Sequence, residues 1–589
     1  MTPRAFVLSI LTAALLISHT AAARDQVPGQ LPGPPPMPPS PGQPSTTPRT
    51  PPRAARPGED PNKGTAIMRG YVVAADSGAP LRRALVRVSS SDGRSGGMTT
   101  TDADGRFEVK ELLAGRYSVS VTKAGYVTMQ YGQRRPEQQG TMLDILDGQL
   151  VEKIAFSLPR GGVIVGRVLD EFGEPMAGAQ VNAMRSRFVN GGRRLVPTGS
   201  AQTDDLGAFR IFGLAPGDYF VAGSLRSQSM MMPGSISTSN VEGYAPTYYP
   251  GTPNAGEAQR VTVKVGAETA GVSFSLAATR LVRVSGRVVS ASGEPALRVF
   301  LMANLVDRST VMGMSGFSNS MTRADGTYQI NGLSPGTYNI VARPQGMPSA
   351  DSEFGQARVT VGAEDVDNVT IVTGRGAIAR GTVTTDDNAA PPFRPQLVSL
   401  FARPFEPDVM PVGGGDGKVN DDWTFEISGL SDRRVMMVNI SDSPDWALKS
   451  ITLNGVDVTD APLEFVPGQV VEGLHVMLTR KRTELSGNIL DANSRPDTDA
   501  TIIAFAQDAK KWTPGSRYIR SARTSQDGRY NLRGLPPDDY LVVAIRDIEP
   551  GEWMDPEVLE SLRDVATRVT FNEGETKVQD LRTAKRPGA

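Results

Sequence analysis

Apolar and polar residues alternate with a period of two through most of this chain. Val284, Gly286 and Val288 share one side of a run whose other side carries Ser285, Arg287 and Val289, the pattern of a strand with one face on a core. Ser292-Gly293-Glu294-Pro295 then supplies turn chemistry, a second strand is predicted near Val299 to Asn304, and Asp325-Gly326 marks a hairpin whose glycine accepts positive φ. Tyr328 and Ile330 point one way on the next strand. Leu333-Ser-Pro-Gly336-Thr-Tyr338 closes the pattern: Pro335 sets φ, Gly336 lets the chain reverse, and Tyr338, Ile340 and Ala342 begin a returning strand.

The same series occurs five times, around Leu112, Leu214, Leu333, Leu430 and Leu535, each preceded by a strand marker at Gly70-Tyr-Val72, Gly166-Arg-Val168, Gly286-Arg-Val288, Gly381-Thr-Val383 and Gly487-Asn-Ile489. Successive copies lie about a hundred residues apart, the size of a domain and far above the period of a solenoid. The alternation predicts an all-β chain of five tandem sandwich units, strung like beads, at 64–159, 160–278, 279–374, 375–480 and 481–589. Each closes on a further alternating strand: Ile154, Phe156, Leu158 in the first, Val272, Phe274, Leu276 in the second, Leu474, Val476, Leu478 in the fourth. One helical pattern interrupts this. Asp555 caps it, Pro556 suits its first position, and Val558, Leu559, Leu562 and Val565 form a stripe expected to pack on the fifth unit.

The beginning of the chain is different. Arg4, an apolar stretch from Ala5 to Ile17 and Ala21-Ala22-Ala23 match a cleaved export signal over 1–23, too short to span a bilayer comfortably. Residues 24–63 are rich in proline and poor in large apolar side chains, so they are expected to remain a disordered spacer. The mature protein is therefore expected in the periplasm or outside the cell, with no membrane span. It contains no cysteine, so its units must fold on hydrophobic burial alone. With 62 Lys plus Arg against 63 Asp plus Glu, the balance offers no electrostatic reason to expect nucleic acid.

The G-x-V strand, G-x-P turn, D-G-x-[FY] hairpin and L-x-P-G-x-Y corner together resemble the carboxypeptidase regulatory-like domain, a transthyretin-like, prealbumin or immunoglobulin-like sandwich related to bacterial collagen-adhesin repeats and the carbohydrate-binding-like fold. The resemblance covers everything after residue 64. The tail WALKSITLNGVDVTDAPLEF, together with the remainder of the chain, looks like exported multi-repeat proteins of soil bacteria such as acidobacteria. In this reading Tyr117, Tyr219, Tyr338 and Tyr540 are structural corner residues, each ring buried and each hydroxyl bonding backbone across the turn, similar to the tyrosine corner of immunoglobulin-like sandwiches. The fifth unit has Asp538 at the corner glycine. The fourth departs most, placing Arg433 at the glycine and Val435 at the tyrosine.

Catalytic chemistry finds little support. The chain has two histidines, one of them, His19, in the export signal. A zinc peptidase needs three protein ligands and an open position, and a serine hydrolase needs a histidine beside its nucleophile. His475 is instead predicted to face outward from a strand, opposite Leu474 and Val476. The paired aspartates Asp102 and Asp104, Asp204 and Asp205, Asp421 and Asp422 recur in one hairpin slot, where aspartate bonds its own backbone, and the Asp102–Gly105 run lacks the distant glutamate of a calcium loop. No cofactor, metal or lysine–asparagine crosslink is expected.

The expected function is non-catalytic: an exported protein binding carbohydrate or another surface component. A spacer without a ligand site is the alternative and an unrecognised hydrolase a remote one. Tyr244, Tyr248 and Tyr249 on one long loop, with Trp512 on another beside Lys510, Lys511 and Arg517, are the candidate carbohydrate-binding rings. Because the repeated residues encode folding, specific function is expected where the units differ: loops 226–258, 305–320 and 507–520, and the fourth unit.

Overall fold

The structure is a computed structural model that describes residues 63–586, apart from 92, 94, 190, 226–240, 307–316, 346–351, 406–414, 442–444 and 526. The export signal and proline-rich segment lie outside the described residues, as do parts of two of the loops singled out above. The described chain is mostly β, with one α-helix, Pro556–Leu562.

Five hydrophobic cores follow one another, formed by residues within 66–158, 164–276, 282–371, 377–478 and 485–581. Each is enclosed by two layers of strands, and the alternation in sequence appears directly as burial: Ala66, Met68, Val72 and Ala74 of strand Ala66–Ala74 are buried while their neighbours are not. In the first unit this strand lies between Arg106–Leu112, antiparallel to it, and Leu150–Leu158, parallel to it. The facing sheet runs Gly96–Thr100, Leu85–Ser90, Gly115–Thr122 and Met129–Gln130. The second and third units repeat this plan. In the fourth, Asp416–Val419 pairs with both Val398–Pro404 and Thr424–Leu430, joining the layers into one continuous sheet. In the fifth, Leu581–Ala584 does the joining.

The glycine of the G-x-V marker has a steric cause. The last strand of each unit bulges toward it, and a Cβ at Gly70, Gly166, Gly286, Gly381 or Gly487 would lie 2.1, 1.7, 1.8, 2.1 or 2.1 Å from the carbonyl oxygen of Ile154, Val272, Val369, Leu474 or Gln579. Any side chain would displace that strand. In the third and fifth units the same carbonyl accepts a hydrogen bond from the hairpin tyrosine, Tyr328 to Val369 at 3.1 Å and Tyr530 to Gln579 at 2.7 Å.

At the corners, the hydroxyls of Tyr117, Tyr219, Tyr338 and Tyr540 donate to the carbonyls of Leu113, Ala215, Ser334 and Pro536, four residues earlier, at 2.8, 2.6, 3.0 and 2.8 Å. The fourth unit solves the corner differently and corrects the sequence alignment by one residue. Leu305 faces Tyr338 across the ladder in the third unit, and Pro404 faces Arg434 in the fourth, so the tyrosine's place belongs to Arg434 rather than Val435, and the glycine's to Asp432 rather than Arg433. The hairpin glycine is also replaced: Trp423 stands where Gly105 and Gly326 stand elsewhere, at φ 66°, a left-handed conformation that is costly for a bulky residue. Its ring is held edge-on by Phe393, centroids 5.7 Å apart, and Phe393 in turn meets Trp446 at 5.4 Å.

The units do not form an open string. The 130–140 turn of the first unit docks on the fifth, where Arg523 donates to the carbonyls of Gly132 and Gln139 at 3.2 and 2.7 Å, Arg135 pairs with Asp547, and Gln138 bonds Asp499. Arg185 of the second unit pairs with Glu549 of the fifth at 3.0 Å and approaches Glu137 of the first at 3.9 Å. Lys449 of the fourth pairs with Glu573 of the fifth at 2.7 Å. The fifth unit therefore acts as a hub against the first, second and fourth. The helix Pro556–Leu562, whose Asp555 accepts from the Glu557 amide at 3.0 Å, packs Val558, Leu559 and Leu562 onto a second apolar cluster of this hub.

Candidate functional site

The candidate rings of the sequence are mostly interior. Tyr248 is 4% exposed and packs with Met184, Leu195 and Ala222. Tyr249 meets Phe274 edge-on, centroids 6.3 Å apart, and packs against the second core. Tyr244 lies in strand Val241–Tyr244, which pairs with Ala278–Val289 of the third unit, and its hydroxyl donates to Glu171 at 2.6 Å. Trp512 is 7% exposed, its Nε1 donating to the Ala506 carbonyl at 2.8 Å, with Phe505 edge-on at 5.6 Å and the Arg563 guanidinium over its face at 4.8 Å. The expectation of open stacking platforms is therefore corrected at Tyr248 and Trp512: both rings are used to pin their loops, and neither can present a face to a sugar. Tyr244 and Tyr249 are half-buried and serve the second unit.

The other candidate groups are also accounted for locally. Asp102 accepts from the amides of Asp104 and Arg106 at 2.9 and 2.8 Å, and Asp204 from those of Leu206 and Ala208 at 3.0 and 2.8 Å, the self-bonding that shapes an Asx turn. His475 Nε2 lies 2.8 Å from the Thr384 hydroxyl on the neighbouring strand. Among the described residues no three His, Cys, Asp or Glu side chains converge as a metal site. No helix among them is long and apolar enough to cross a membrane.

The tertiary structure builds its own cleft, of about 410 Å³, where the fourth and fifth units meet. One wall comes from strand Asp432–Ile440, from Trp446 to Leu448, and from Arg403 and Phe405; the other comes from the turn Thr513–Arg517 with Arg520, Arg533 and Arg482. Loop 507–520 thus contributes backbone and Arg517, while its tryptophan faces inward. Arg517 grips both carboxylate oxygens of Asp460 at 2.8 Å and donates to the Leu448 carbonyl at 3.2 Å, bracing the two units. Arg403 crosses from the fourth unit to the Pro514 carbonyl. Its guanidinium lies so close to Gly515, φ 72°, that a Cβ there would fall 2.6 Å from its nitrogens.

Among the described residues the charge in the cleft is one-sided: five arginines line it, and Asp460 is the only acid. Burial pushes the Arg403 guanidinium below its usual range, and burial together with the like charge of Arg533 does the same to Arg482. The Nε atoms of both are buried with no hydrogen-bond partner among the described residues. Arg403, Arg482, Arg520 and Arg533 leave no signal in the sequence, because they belong to two units and no short window contains them together.

The architecture defines a class, a protein of tandem β-sandwich units whose repeated residues shape those units. Residues 67–146 and 283–375, in the first and third units, match the carboxypeptidase regulatory-like domain family. Among solved structures the chain is similar to GBS52, the minor pilin of Streptococcus agalactiae, at 14% identity over 36% of this chain and 95% of that one, TM-score 0.20. It is also similar to a streptococcal ancillary pilin, at 12% identity over 52% and 98%, TM-score 0.19. BcpA, the major pilin subunit of Bacillus cereus, matches at 12% over 52% and 99%, TM-score 0.13. These are distant likenesses of fold. No curated protein matches the chain.

Proposed function

We propose that this is a non-catalytic exported protein that binds a polysaccharide or another component of the cell surface or its surroundings, at the cleft between its fourth and fifth units. The observation that carries this reading is the cleft itself, a concavity within the size range of small-ligand sites, combining guanidinium groups with a half-buried indole at Trp446. Export rests on the N-terminal pattern of residues 1–23. The absence of a catalytic role is supported by the fate of the candidate groups: the turn aspartates bond their own backbone and His475 is held in a ladder. A pure spacer is the second reading, and the contacts between the first and fifth units speak against it, because a spacer gains length by staying extended.

The test is retention of the mature chain on a panel of immobilised polysaccharides. Retention on at least one, weakened by changes at Arg403 or Arg482, is expected. No retention on any of them would leave the spacer.

A further inference from the structure

We propose that the ligand of this cleft is an acidic sugar, a segment of polysaccharide carrying carboxylates; this rests on the binding function above and names its chemical class. Of the five guanidinium groups lining the cleft, Arg517 is neutralised by Asp460 and Arg533 donates to Glu484 at 2.9 Å. Asp445 and Glu484 add more distant attractions for Arg482. That leaves Arg403, Arg482 and Arg520 facing one concavity without a carboxylate in hydrogen-bond contact among the described residues. Like charges brought together in a partly desolvated space repel, and an incoming anion relieves that repulsion. Planar guanidinium groups match a carboxylate in particular, since two parallel N–H groups meet its two oxygens.

The remaining lining selects among carboxylates. Trp446 and Phe405 line the same concavity, one face of each already covered by a guanidinium, Arg480 at 5.7 Å and Arg433 at 4.7 Å, and the other left as apolar surface; Asn439 and Thr513 add polar side chains. A uronate ring offers a C–H face to the first, hydroxyls to the second and its acid group to the arginines. Polyglutamate offers carboxylates and backbone amides but no ring with a C–H face.

Binding of the full mature chain to polygalacturonate, amylose and polyglutamate, measured by affinity electrophoresis at low and moderate salt, tests this. Polygalacturonate is expected to retard the protein, less so as salt rises. Arg482→Gln with Arg520→Gln is expected to weaken that binding at least tenfold, while Arg116→Gln, an exposed arginine of the first unit, leaves it unchanged. Arg520→Gln alone guards against misfolding, because that side chain, though burial pushes its guanidinium below the usual range, makes no hydrogen bond to a described residue; it is expected to weaken binding by a few fold with unchanged thermal unfolding. Polygalacturonate binding untouched by these changes, or equal binding of polyglutamate, overturns the proposal. Retention by amylose alone overturns it too but leaves the binding function standing; no retention on either sugar overturns it, and the wider polysaccharide panel then decides the binding function.

Discussion

The Nε of Arg434 donates to the carbonyl oxygen of Ser431 over 2.8 Å, making in the fourth unit the backbone-to-side-chain brace that a tyrosine hydroxyl makes in the other four. A further bond runs from its NH1 to the Ala402 carbonyl at 3.0 Å. The side chain is buried, which pushes its guanidinium below the usual range while the nearby Asp432 carboxylate opposes the shift. Charge-assisted bonds to two carbonyls compensate a desolvated cation in a way that one neutral hydroxyl need not.

Arg434→Met keeps much of the volume and removes both bonds. It is expected to destabilise the fourth unit by about 2–3 kcal/mol, because two buried carbonyls lose their donors. Hydrogen exchange should show faster opening of strands Val398–Pro404 and Asp432–Ile440 and little change in the first unit. Equal protection in both proteins would show that the arginine braces nothing.

Close approach and conformational freedom are separable at two glycines of the third unit. Gly286→Ala places a methyl 1.8 Å from the Val369 oxygen and is expected to cost about 3 kcal/mol or more through displaced strands. Gly293→Ala, at φ 83° with open space around it, is expected to cost only about 1 kcal/mol. Urea unfolding followed by exchange of the third unit distinguishes them, and similar losses at both would refute the steric account.

Tyr248→Ala is expected to lower the stability of the second unit by about 3 kcal/mol, as removal of a buried ring does, and to leave polysaccharide binding unchanged. A selective loss of binding with normal thermal unfolding would return that ring to the ligand contacts.

The pH dependence of the fifth unit should come partly from Asp497. Desolvation pushes its carboxyl up, but the Thr583 hydroxyl at 2.5 Å, the Asp499 amide at 2.9 Å and Arg546 at 2.7 Å outweigh it and hold the carboxyl below its usual value. A depressed folded-state pKa contributes stability that is complete above the unfolded value, about 3.9, and fades as pH falls through the folded one. Stability is therefore expected to drop below about pH 4, and Asp497→Asn to be less stable at pH 7 with a flatter acid limb. An unchanged acid limb would assign the effect elsewhere.

Replacing Arg134, Arg135 and Gln138 together by alanine removes the side chains with which the first unit reaches Thr498, Asp547 and Asp499. Small-angle scattering should then report a larger radius of gyration with all five units still folded. Identical scattering from both proteins would mean that the units stay together without this turn.

Much of each unit was legible because its instructions are local. A period of two declares strands, aspartate and glycine declare hairpins, and the helix cap Asp555-Pro556 is read within four residues. The fourth unit was misaligned by one residue for the same reason: its corner is one residue shorter, and only the ladder pairing of Arg434 with Pro404 reveals which side chain turns inward. Trp512 departs from expectation because a tryptophan among lysines on a loop looks exposed, while its burial depends on Phe505 and on Arg563, which arrives from the segment after the helix.

By itself, the sequence determined an all-β chain of repeated sandwiches with one short helix, since periodicity, turn residues and close-approach glycines act over a few residues or between neighbouring strands. The tertiary structure alone decided that the first unit returns to the fifth and that arginines from two units meet in one cleft. Those contacts join residues about a hundred to four hundred positions apart through long polar side chains, and such pairings leave no periodic trace in the chain.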